Sequence, residues 1–360
     1  MSVAVITGSA GLVGAATTRR IAREGFDVVG VDNDMRRQLF GDDGSTDWMR
    51  SGLERDLPSY THHAVDIRDR EAIFALFARY GRAIELVVHT AAQPSHDWAA
   101  QAPHEDFTIN ANGTLNLLEA TREHCPDAVF IFTSTNKVYG DTPNQLPLEE
   151  LSTRFEPPES HPFRAQGIDE SMSIDASLHS LFGASKVAAD VLTQEFGRYF
   201  GMRTAVFRAG CITGPAHSAT KLHGFLAYLV RCAVTQTPYT VIGYSGKQVR
   251  DNLDAADLAS AFWHFFQDPR PAAVYNIGGG REASCSVLEA ISLVEEVSGR
   301  RIEQSYDDTN RRGDHIWWIT DTRRFRSDFP AWRQEQSLRG TIEAIHVAMS
   351  ERSVSGSPAD

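Results

Sequence analysis

A glycine-rich turn between a short apolar run and a helical pattern constrains the fold of this chain more than any other feature. The turn spans residues 7–14 and has the spacing G-x-x-G-x-x-G. It follows the β-branched run at residues 3–6 and precedes the helical pattern at residues 15–24. Glycines permit a tight turn and let backbone amides approach a pyrophosphate at the positive end of a helix. The spacing therefore predicts a strand, a nucleotide-binding turn and a helix.

A carboxylate follows the second predicted strand at the distance that a bound dinucleotide requires. Residues 28–31 form an apolar run that leads to Asp32, 18 residues beyond Gly14. An acidic side chain at this place accepts hydrogen bonds from the ribose hydroxyls of adenosine and repels a 2′-phosphate. The pattern favours NAD over NADP as the cofactor, although Arg36 and Arg37 leave NADP as an alternative.

The alternation of strands and helices continues through the first half of the chain. Further strands are predicted at residues 86–89, 129–133 and 204–207, and a helix is predicted at residues 113–124. This rhythm predicts a parallel sheet covered by helices on both faces. After Gly210 the rhythm weakens, and amphipathic helical patterns at residues 286–297 and 338–349 indicate a smaller lobe.

The predicted fold is therefore α/β, a Rossmann-type doubly wound parallel sheet with a smaller C-terminal α/β substrate lobe. We expect residues 1–207, with parts of 240–280, to form the NAD-binding domain. The remaining segments of residues 208–350 are expected to form the substrate-binding lobe.

Two segments lack a regular pattern. Residues 144–168 are rich in Pro and Glu, and we expect them to form a long loop before a helix that begins near Leu181. Residues 351–360 have the composition of a flexible tail.

Net charge and composition disfavour several classes of protein. The 360 residues include 35 basic and 47 acidic side chains, for a formal net charge of −12. Nucleic acids and anionic membranes need a broad positive face, so we expect neither as a partner. The sequence shows no secretion signal and no apolar run of transmembrane length. Four cysteines without CxxC spacing indicate neither a disulfide framework nor a zinc site, so we expect a cytoplasmic protein without a bound metal.

Several motifs further along the chain narrow the class. They are T-S-T-N-K-V-Y-G at residues 133–140, H-T-A-A-Q at 89–93, F-G-A-S-K at 182–186, V-R-D at 249–251 and N-I-G-G at 276–279. Together with the glycine turn, these motifs resemble the extended short-chain dehydrogenase/reductase superfamily over nearly the whole chain. The set is similar to that of superfamily members acting on nucleotide-activated sugars.

The turn after the strand at residues 129–133 resembles one group of these enzymes. Thr135-Asn136-Lys137 is similar to the CDP-paratose (CDP-tyvelose) 2-epimerases, whereas 4,6-dehydratases carry an Asp-Glu pair in place of Asn136 and Lys137. Elimination of water needs an acid and a carboxylate base, which these two residues do not supply. The resemblance implies an NAD-dependent epimerase that oxidises a sugar carbon, C2 in this group, to a transient ketone. A nucleotide-sugar 4-epimerase or a net oxidoreductase stays as an alternative.

The resemblance also implies roles for two polar side chains. Thr135 is expected to hold the reacting hydroxyl, and Lys186 to hydrogen-bond the nicotinamide ribose and favour alkoxide formation. Asp66 and Ile67 suit an adenine-edge contact, or alternatively a strand end that caps the next helix. The expected cofactor contacts are Gly8, Ala10, Gly11, Leu12, Asp32, Asn33, Asp66, Ile67, Ala91, Ala92, Gln93, Thr133 and Lys186.

Phe182 departs from the superfamily pattern. Family members have a Tyr general base four residues before the Lys, whereas Phe182 has no ionisable oxygen. Three explanations stay open: an engineered change, a natural exchange with another base, or a protein that binds its ligands without catalysis. Lys137, Tyr139 and Cys211 are candidates for a replacement base, and Lys137 needs burial or positive neighbours to lower its pKa.

The substrate's diphosphate needs local cations because the protein as a whole is acidic. Arg250 and Arg311 match superfamily positions that clamp this group, and guanidinium groups suit phosphate oxygens. Cys211 stands where many relatives have an Asn that touches the phosphates. The expected substrate contacts are Asn136, Cys211, His223, Arg250, Asn276 and Arg311. We expect a CDP-sugar as the substrate and a homodimer or homotetramer as the assembly.

Overall fold

The structure, a computed structural model, describes residues 2–218, 220, 224–310 and 313–354. Its strands, in chain order, are β1 (Val3–Thr7), β2 (Asp27–Val31), β3 (Tyr60–His63), β4 (Ile84–His89), β5 (Val129–Thr135), β6 (Glu149–Glu150), β7 (Phe155–Glu156), β8 (Arg203–Ala209), β9 (Cys211–Thr213), β10 (Tyr239–Ile242), β11 (Val249–Asp254), β12 (Ala273–Ile277), β13 (Ser284–Ser286), β14 (Gln304–Asp307) and β15 (Trp317–Trp318).

Helices connect these strands and cover them. In chain order the α-helices are α1 (Leu12–Arg23), α2 (Met35–Phe40), α3 (Asp47–Asp56), α4 (Arg70–Tyr80), α5 (His96–Gln101), α6 (Pro103–Phe107), α7 (Gly113–His124), α8 (Phe163–Gln166), α9 (Ser180–Phe200), α10 (Phe225–Thr235), α11 (Ala255–Gln267), α12 (Val287–Ser298), α13 (Arg323–Asp328) and α14 (Leu338–Val354).

A parallel sheet forms the centre of the structure. Within the described residues it has seven strands in the order β12-β8-β5-β4-β1-β2-β3. The five strands predicted from apolar runs are confirmed as β1, β2, β4, β5 and β8, with small differences at their ends. Because parallel strands all point the same way, their carboxyl ends meet at one edge, where ligands bind in open α/β sheets.

Apolar side chains cover both faces of this sheet. On one face α11 packs beside α1, and the ring of Phe207 on β8 lies 5.0 Å from that of Phe262 on α11, centroid to centroid. On the other face, Phe130 and Phe132 of β5 share a buried cluster with residues of α4, α7 and α9. Helices on both faces make the fold doubly wound, as predicted.

A smaller lobe lies in the C-terminal part of the chain. α10, α12 and α14 share an apolar core, which confirms the two predicted amphipathic helices as α12 and α14. β9, β11, β13 and β15 form a small mixed sheet, whereas β12 returns to the large sheet beside β8. Phe325, Phe329 and Trp332 also join the core of the large sheet. The division of the chain at residue 207 stays a prediction.

The predicted long loop at residues 144–168 contains short regular elements. β6 and β7 pair as an antiparallel hairpin, and α8 forms a single turn. Arg154 anchors the hairpin, because Nη1 donates to Glu156 Oε1 at 2.9 Å and Nε donates to Glu289 Oε1 at 2.9 Å. The following helix α9 begins at Ser180, close to the predicted start.

The predicted start of the flexible tail, residue 351, lies before the end of the last helix. α14 continues to Val354, so the first residues of the segment 351–360 are helical. Arg352 accounts for this extension, since its Nη2 donates to the carbonyl of Pro215 at 3.1 Å and its guanidinium lies 4.8 Å from the ring centroid of Trp48. Residues 355–360 lie outside the described residues.

Within the described ranges, no helix combines the length and apolar character that crossing a bilayer requires. The four cysteines carry free thiols, and Cys125, Cys232 and Cys285 are buried.

Candidate active site

A cleft of about 490 Å³ opens at the carboxyl ends of β1, β4 and β5 and reaches to the smaller lobe. Most of the predicted site residues line it: Gly8, Gly11, Leu12, Asp32, Asn33, Asp66, Ile67, Ala91, Ala92, Thr133, Thr135, Asn136, Lys137, Phe182, Lys186, Cys211 and Arg250. His223 and Arg311, both predicted substrate contacts, lie outside the described residues. The structure therefore brings these predicted residues together at one cavity.

The glycine turn can exist only with glycines at its close contacts. Gly8 has a φ of +66°, and a Cβ on it would lie 2.8 Å from the backbone nitrogen of Ala91. A Cβ on Gly14 would lie 1.9 Å from the carbonyl oxygen of Gly8. The first turn of α1 borders the cleft, and no side chain caps this helix. Its first backbone N–H groups suit the pyrophosphate of a dinucleotide.

Asp32 lies directly after β2 and is held by two backbone amides. Its Oδ2 accepts from the N–H of Ala10 at 3.1 Å, and its Oδ1 accepts from the N–H of Asp34 at 2.9 Å. Burial raises the pKa of Asp32, because water is removed from the carboxylate. Ribose hydroxyls that donate to this carboxylate would stabilise its ionised form. Ala10 is buried and gives its N–H to Asp32, and its predicted contact with the cofactor stays a prediction.

Arg36 and Arg37, which kept NADP as an alternative cofactor, both contact protein groups in the structure. Arg37 is exposed, and its Nε donates to Asp42 Oδ1 at 2.7 Å. Arg36 lines the cleft, and its Nη2 donates to the carbonyl of Ser218 at 2.8 Å. Arg37 therefore pairs with a surface carboxylate outside the cleft, which removes one of the two cations considered for a 2′-phosphate.

Asn33 and Asp66 meet where the adenine is expected. Asn33 Nδ2 donates to Asp66 Oδ2 at 3.2 Å, and Arg68 Nη2 donates to the same oxygen at 2.7 Å. Ile67 follows as an apolar wall of the cleft. An adenine contact by Asp66 and Ile67 stays a prediction with a suitable geometry.

Gln93 and Asn276 are not among the residues that line the cleft, and their predicted ligand contacts stay predictions without support from it. Gln93 is fully buried, and its Nε2 donates to Asp106 Oδ1 at 2.6 Å. Asn276 is also fully buried; its Nδ2 donates to the carbonyl of Ile168 at 3.1 Å, and its Oδ1 accepts from Tyr139 Oη at 2.8 Å. Both amides are occupied by protein partners and fix loops behind the walls of the cleft.

The amino group of Lys186 lies in a dry setting. Its side chain lies in the cleft wall, its Nζ donates to the carbonyl of Thr133 at 3.0 Å, and the ammonium is 4.2 Å from the ring centroid of Phe132. Burial lowers the pKa of Lys186 to about 7. Among the described residues, Thr133 Oγ1 is buried without a hydrogen-bond partner. A ribose of the cofactor would supply hydroxyls for both groups, so these residues fit a bound dinucleotide.

Thr135 and Phe182 face the cleft near this lysine. Thr135 ends β5, and its Oγ1 accepts from the N–H of Lys137 at 3.2 Å. Phe182 lies one turn before Lys186 on α9 and packs edge to face against His96, with ring centroids 4.9 Å apart. The cleft therefore has a hydrocarbon ring at the place where the family pattern has a phenol.

The three predicted replacement bases differ in their surroundings. Lys137 Nζ donates to the carbonyl of Gly313 at 2.8 Å and lies 3.4 Å from Asp314 Oδ1, and burial lowers its pKa to about 8. A lowered pKa is the condition that a base role of Lys137 requires, and in both contacts Nζ acts as a donor. Burial raises the pKa of Cys211 to about 11, which keeps its thiol neutral. Tyr139 is fully buried behind the cleft, and burial raises its pKa as well.

Arg250 adds a second cation beside Lys137. It lines the cleft with its side chain 11% exposed, and its Nη1 donates to the carbonyl of Val249 at 2.8 Å. Its Nη2 lies 3.9 Å from Asp314 Oδ1, the same oxygen that Lys137 approaches. Two cations therefore face one carboxylate here, a local positive charge in a protein of net charge −12.

His96 and Asp314 line the cleft, and sequence reasoning missed both. Asp314 follows the arginine pair at residues 311–312, so the acid next to these two cations was the available signal. His96 follows the H-T-A-A-Q motif by three residues, and its position after β4 at the carboxyl edge of the sheet was the available signal.

The glycine turn, Asp32 and Lys186 on this fold define a dinucleotide-binding α/β protein with a second ligand lobe. Residues 4–278 match the Epimerase family, described as the NAD dependent epimerase/dehydratase family. The chain belongs to this family, and its cofactor is NAD.

Individual relatives agree with this membership. The CDP-paratose 2-epimerase of Salmonella typhi is 33% identical over 302 residues, covering 81% of this chain and 83% of that protein. A dTDP-glucose 4,6-dehydratase of Neisseria meningitidis serogroup B is 29% identical over 361 residues, covering 94% of this chain and 92% of that protein. The UDP-glucose 4-epimerase of Thermus thermophilus, solved in complex with NAD, has a TM-score of 0.77 at 23% identity, covering 99% of this chain and 100% of that chain. This last likeness shows the fold.

The substitution Asp32→Ala tests the adenosine end of the cofactor site. Loss of hydrogen bonds to a carboxylate costs about 1.5–3 kcal/mol, so the dissociation constant of NAD should rise about tenfold to a hundredfold. Calorimetry and the amount of NAD released on denaturation of purified protein measure this change. Asp127→Ala is the matched control, because Asp127 is an exposed partner of Arg82 before β5. Unchanged NAD affinity in Asp32→Ala, or release of NADP alone from the wild type, would contradict the assignment.

Proposed function

We propose that the protein epimerises a nucleotide-activated sugar in the manner of a CDP-paratose 2-epimerase. The similarity to the Salmonella typhi enzyme, at 33% identity over 81% of this chain, supports this choice of activity. Family membership leaves open which sugar is the substrate and which carbon is inverted, and the proposal specifies both.

The turn after β5 is the observation that carries the proposal. Asn136 and Lys137 line the cleft beside Thr135, and neither supplies a carboxyl group. Lys137 Nζ also donates hydrogen bonds to the carbonyl of Gly313 and to Asp314 Oδ1. Elimination of water from a sugar needs an acid and a carboxylate base next to the reacting carbons. This end of the cleft therefore favours epimerisation over dehydration, although a dehydratase is among the relatives.

The side chains around Thr135 suit oxidation of a secondary alcohol. NAD, when bound, accepts a hydride from the substrate carbon and returns it to complete the inversion. Thr135 Oγ1 holds the reacting hydroxyl by a hydrogen bond and so aligns its carbon. Lys186, buried beside Thr133, supplies positive charge that stabilises a developing alkoxide. The transient ketosugar then turns its other face to the cofactor, and no net redox change results.

The phosphates of the substrate belong at the other wall of the cleft. Arg250 and Lys137 supply cations there, with Asp314 as their shared counter-ion. A diphosphate competes with this single carboxylate for both cations and gains charge-assisted hydrogen bonds. Cys211 lies in the same wall as a neutral neighbour, and Arg311 and His223 are further proposed contacts.

Phe182 favours a second candidate, a protein that binds NAD and a sugar nucleotide without turning it over. Its ring fills the expected place of the base and carries no proton acceptor. Turnover separates this candidate from the epimerase.

Incubation of purified protein with CDP-paratose tests the proposed activity. We expect conversion to the C2 epimer without added cofactor and without accumulation of NADH, because NAD is restored in each turnover. NMR of the sugar protons identifies the inverted carbon, with dTDP- and UDP-sugars as comparison substrates. Inversion at C4, loss of water or net NADH production would contradict the C2 assignment. Binding of the sugar nucleotide without conversion would support the silent binding protein.

Removal of the Arg250 guanidinium tests the phosphate site. Arg250→Ala should raise the dissociation constant of the CDP-sugar about tenfold to a hundredfold, the range expected for one lost charge-assisted contact. The affinity for NAD should barely change. Arg82→Ala is the control, since Arg82 is 77% exposed and pairs with Asp127. Calorimetry that finds equal CDP-sugar affinity in wild type and Arg250→Ala would place the diphosphate elsewhere.

A further inference from the structure

His96 lies where a proton acceptor is missing from this site. It begins α5, just beyond the carboxyl end of β4, and its half-buried side chain lines the cleft. Its ring packs edge to face against Phe182, with centroids 4.9 Å apart and an interplanar angle of 66°. The imidazole therefore touches the ring that stands in place of the family's tyrosine.

We propose that His96 is the general base of this enzyme, an inference that rests on the proposed function. It takes the proton of the sugar hydroxyl that Thr135 holds, in place of the phenol that Phe182 lacks. An imidazole is suited to this task because its ordinary pKa lies near neutrality and its two nitrogens exchange a proton within one ring.

Contacts from two other segments hold the imidazole in one orientation. Its Nδ1 lies 3.0 Å from Ser180 Oγ, at the start of α9. A base role for the second ring nitrogen, Nε2, requires the tautomer that donates Nδ1–H to Ser180. Gly313 packs against the same ring, where a Cβ would lie 2.9 Å from Nδ1. A side chain at position 313 would therefore push the imidazole away.

Ser180 holds His96 at the expense of backbone strain. Its φ is +57°, in the left-handed region that residues with a side chain rarely adopt. Its Oγ also accepts from the N–H of Gly183 at 3.2 Å, which ties it to the first turn of α9. Strain of this kind persists where surrounding contacts over-determine the conformation, and it clusters at functional sites.

Other groups in the cleft wall are less suited by geometry. Lys137 Nζ donates to two oxygens, Gly313 O and Asp314 Oδ1, and so acts as a donor. Tyr139 lies behind the wall, where Arg208 Nη1 donates to its hydroxyl at 3.0 Å. His96 combines an imidazole, a place in the cleft wall and contact with Phe182.

The chemistry balances with the cofactor already assigned to the protein. The hydroxyl proton would move to the imidazole, while the hydrogen on the same carbon would leave with its electron pair as the C=O bond forms, with NAD⁺, when bound, as the hydride acceptor. On the return, the hydride would re-form the C–H bond on the opposite face, and the imidazolium would give its proton back to the oxygen. Each turnover therefore restores His96 and NAD⁺ without another reactant.

The substitution His96→Gln tests this role with CDP-paratose as substrate. General-base help is worth about a hundredfold to ten-thousandfold, so kcat should fall within that range. The NAD content and the dissociation constant of the CDP-sugar, measured by calorimetry, should stay within about threefold, because the amide preserves the shape of the side chain. His104→Gln, at an exposed histidine of α6, is the matched control and should keep wild-type turnover.

Rescue distinguishes a base from a packing residue. The variant His96→Gly should regain turnover when free imidazole is added. In the His96→Gln background, the further change Phe182→Tyr should raise kcat at least tenfold, because it supplies a phenol near Lys186. Wild-type turnover in His96→Gln would overturn the role of His96, as would failure of both rescues in variants that still bind NAD and CDP-sugar. A wild-type chain that converts no sugar nucleotide would instead overturn the proposed function, and the base with it.

Discussion

The carboxylate of Asp190 joins the three elements that carry the reacting side chains. It lies on α9, one turn after Lys186, and accepts from Ser134 Oγ of β5 at 2.7 Å. Arg208 of β8 donates to both of its oxygens at 3.0 Å. Removing one partner of a buried ion pair leaves an unpaired buried charge, which is strongly destabilising. α9, β5 and β8 therefore keep one relative position, and Thr135 stays fixed with respect to Lys186.

The same network continues to the turn that defines the substrate end. Arg208 Nη1 donates to Tyr139 Oη at 3.0 Å, and that hydroxyl donates to Asn276 Oδ1 at 2.8 Å. Tyr139 closes the short helical turn Asn136–Tyr139, so its anchoring determines where Asn136 and Lys137 face. Polar residues that belong to sequence motifs thus serve as supports, while their neighbours line the cleft. The cleft therefore combines a rigid sheet edge with several polar side chains in its wall.

Local patterns predicted the fold and NAD as the cofactor, because glycine spacing, apolar runs and Asp32 lie within a short stretch of the chain. Long-range contacts decided the rest. Asn276 and Gln93 lie in recognisable motifs, yet Asn276 is buried by a partner 137 positions away. His96 escaped notice because its orientation depends on Ser180, 84 positions further along the chain. Phe182 was recognised as a departure from sequence alone, but its contact with His96 needed the fold.

Deuterium at the inverted carbon reports most directly on the chemistry inferred for this cleft. In the proposed reaction the base takes only the hydroxyl proton, and the carbon-bound hydrogen would travel to the cofactor and back within one binding event. CDP-paratose carrying deuterium at C2 should therefore give a C2 epimer that retains the label in ordinary water, as measured by NMR and mass spectrometry. An epimer that has exchanged its deuterium for solvent hydrogen would contradict the account.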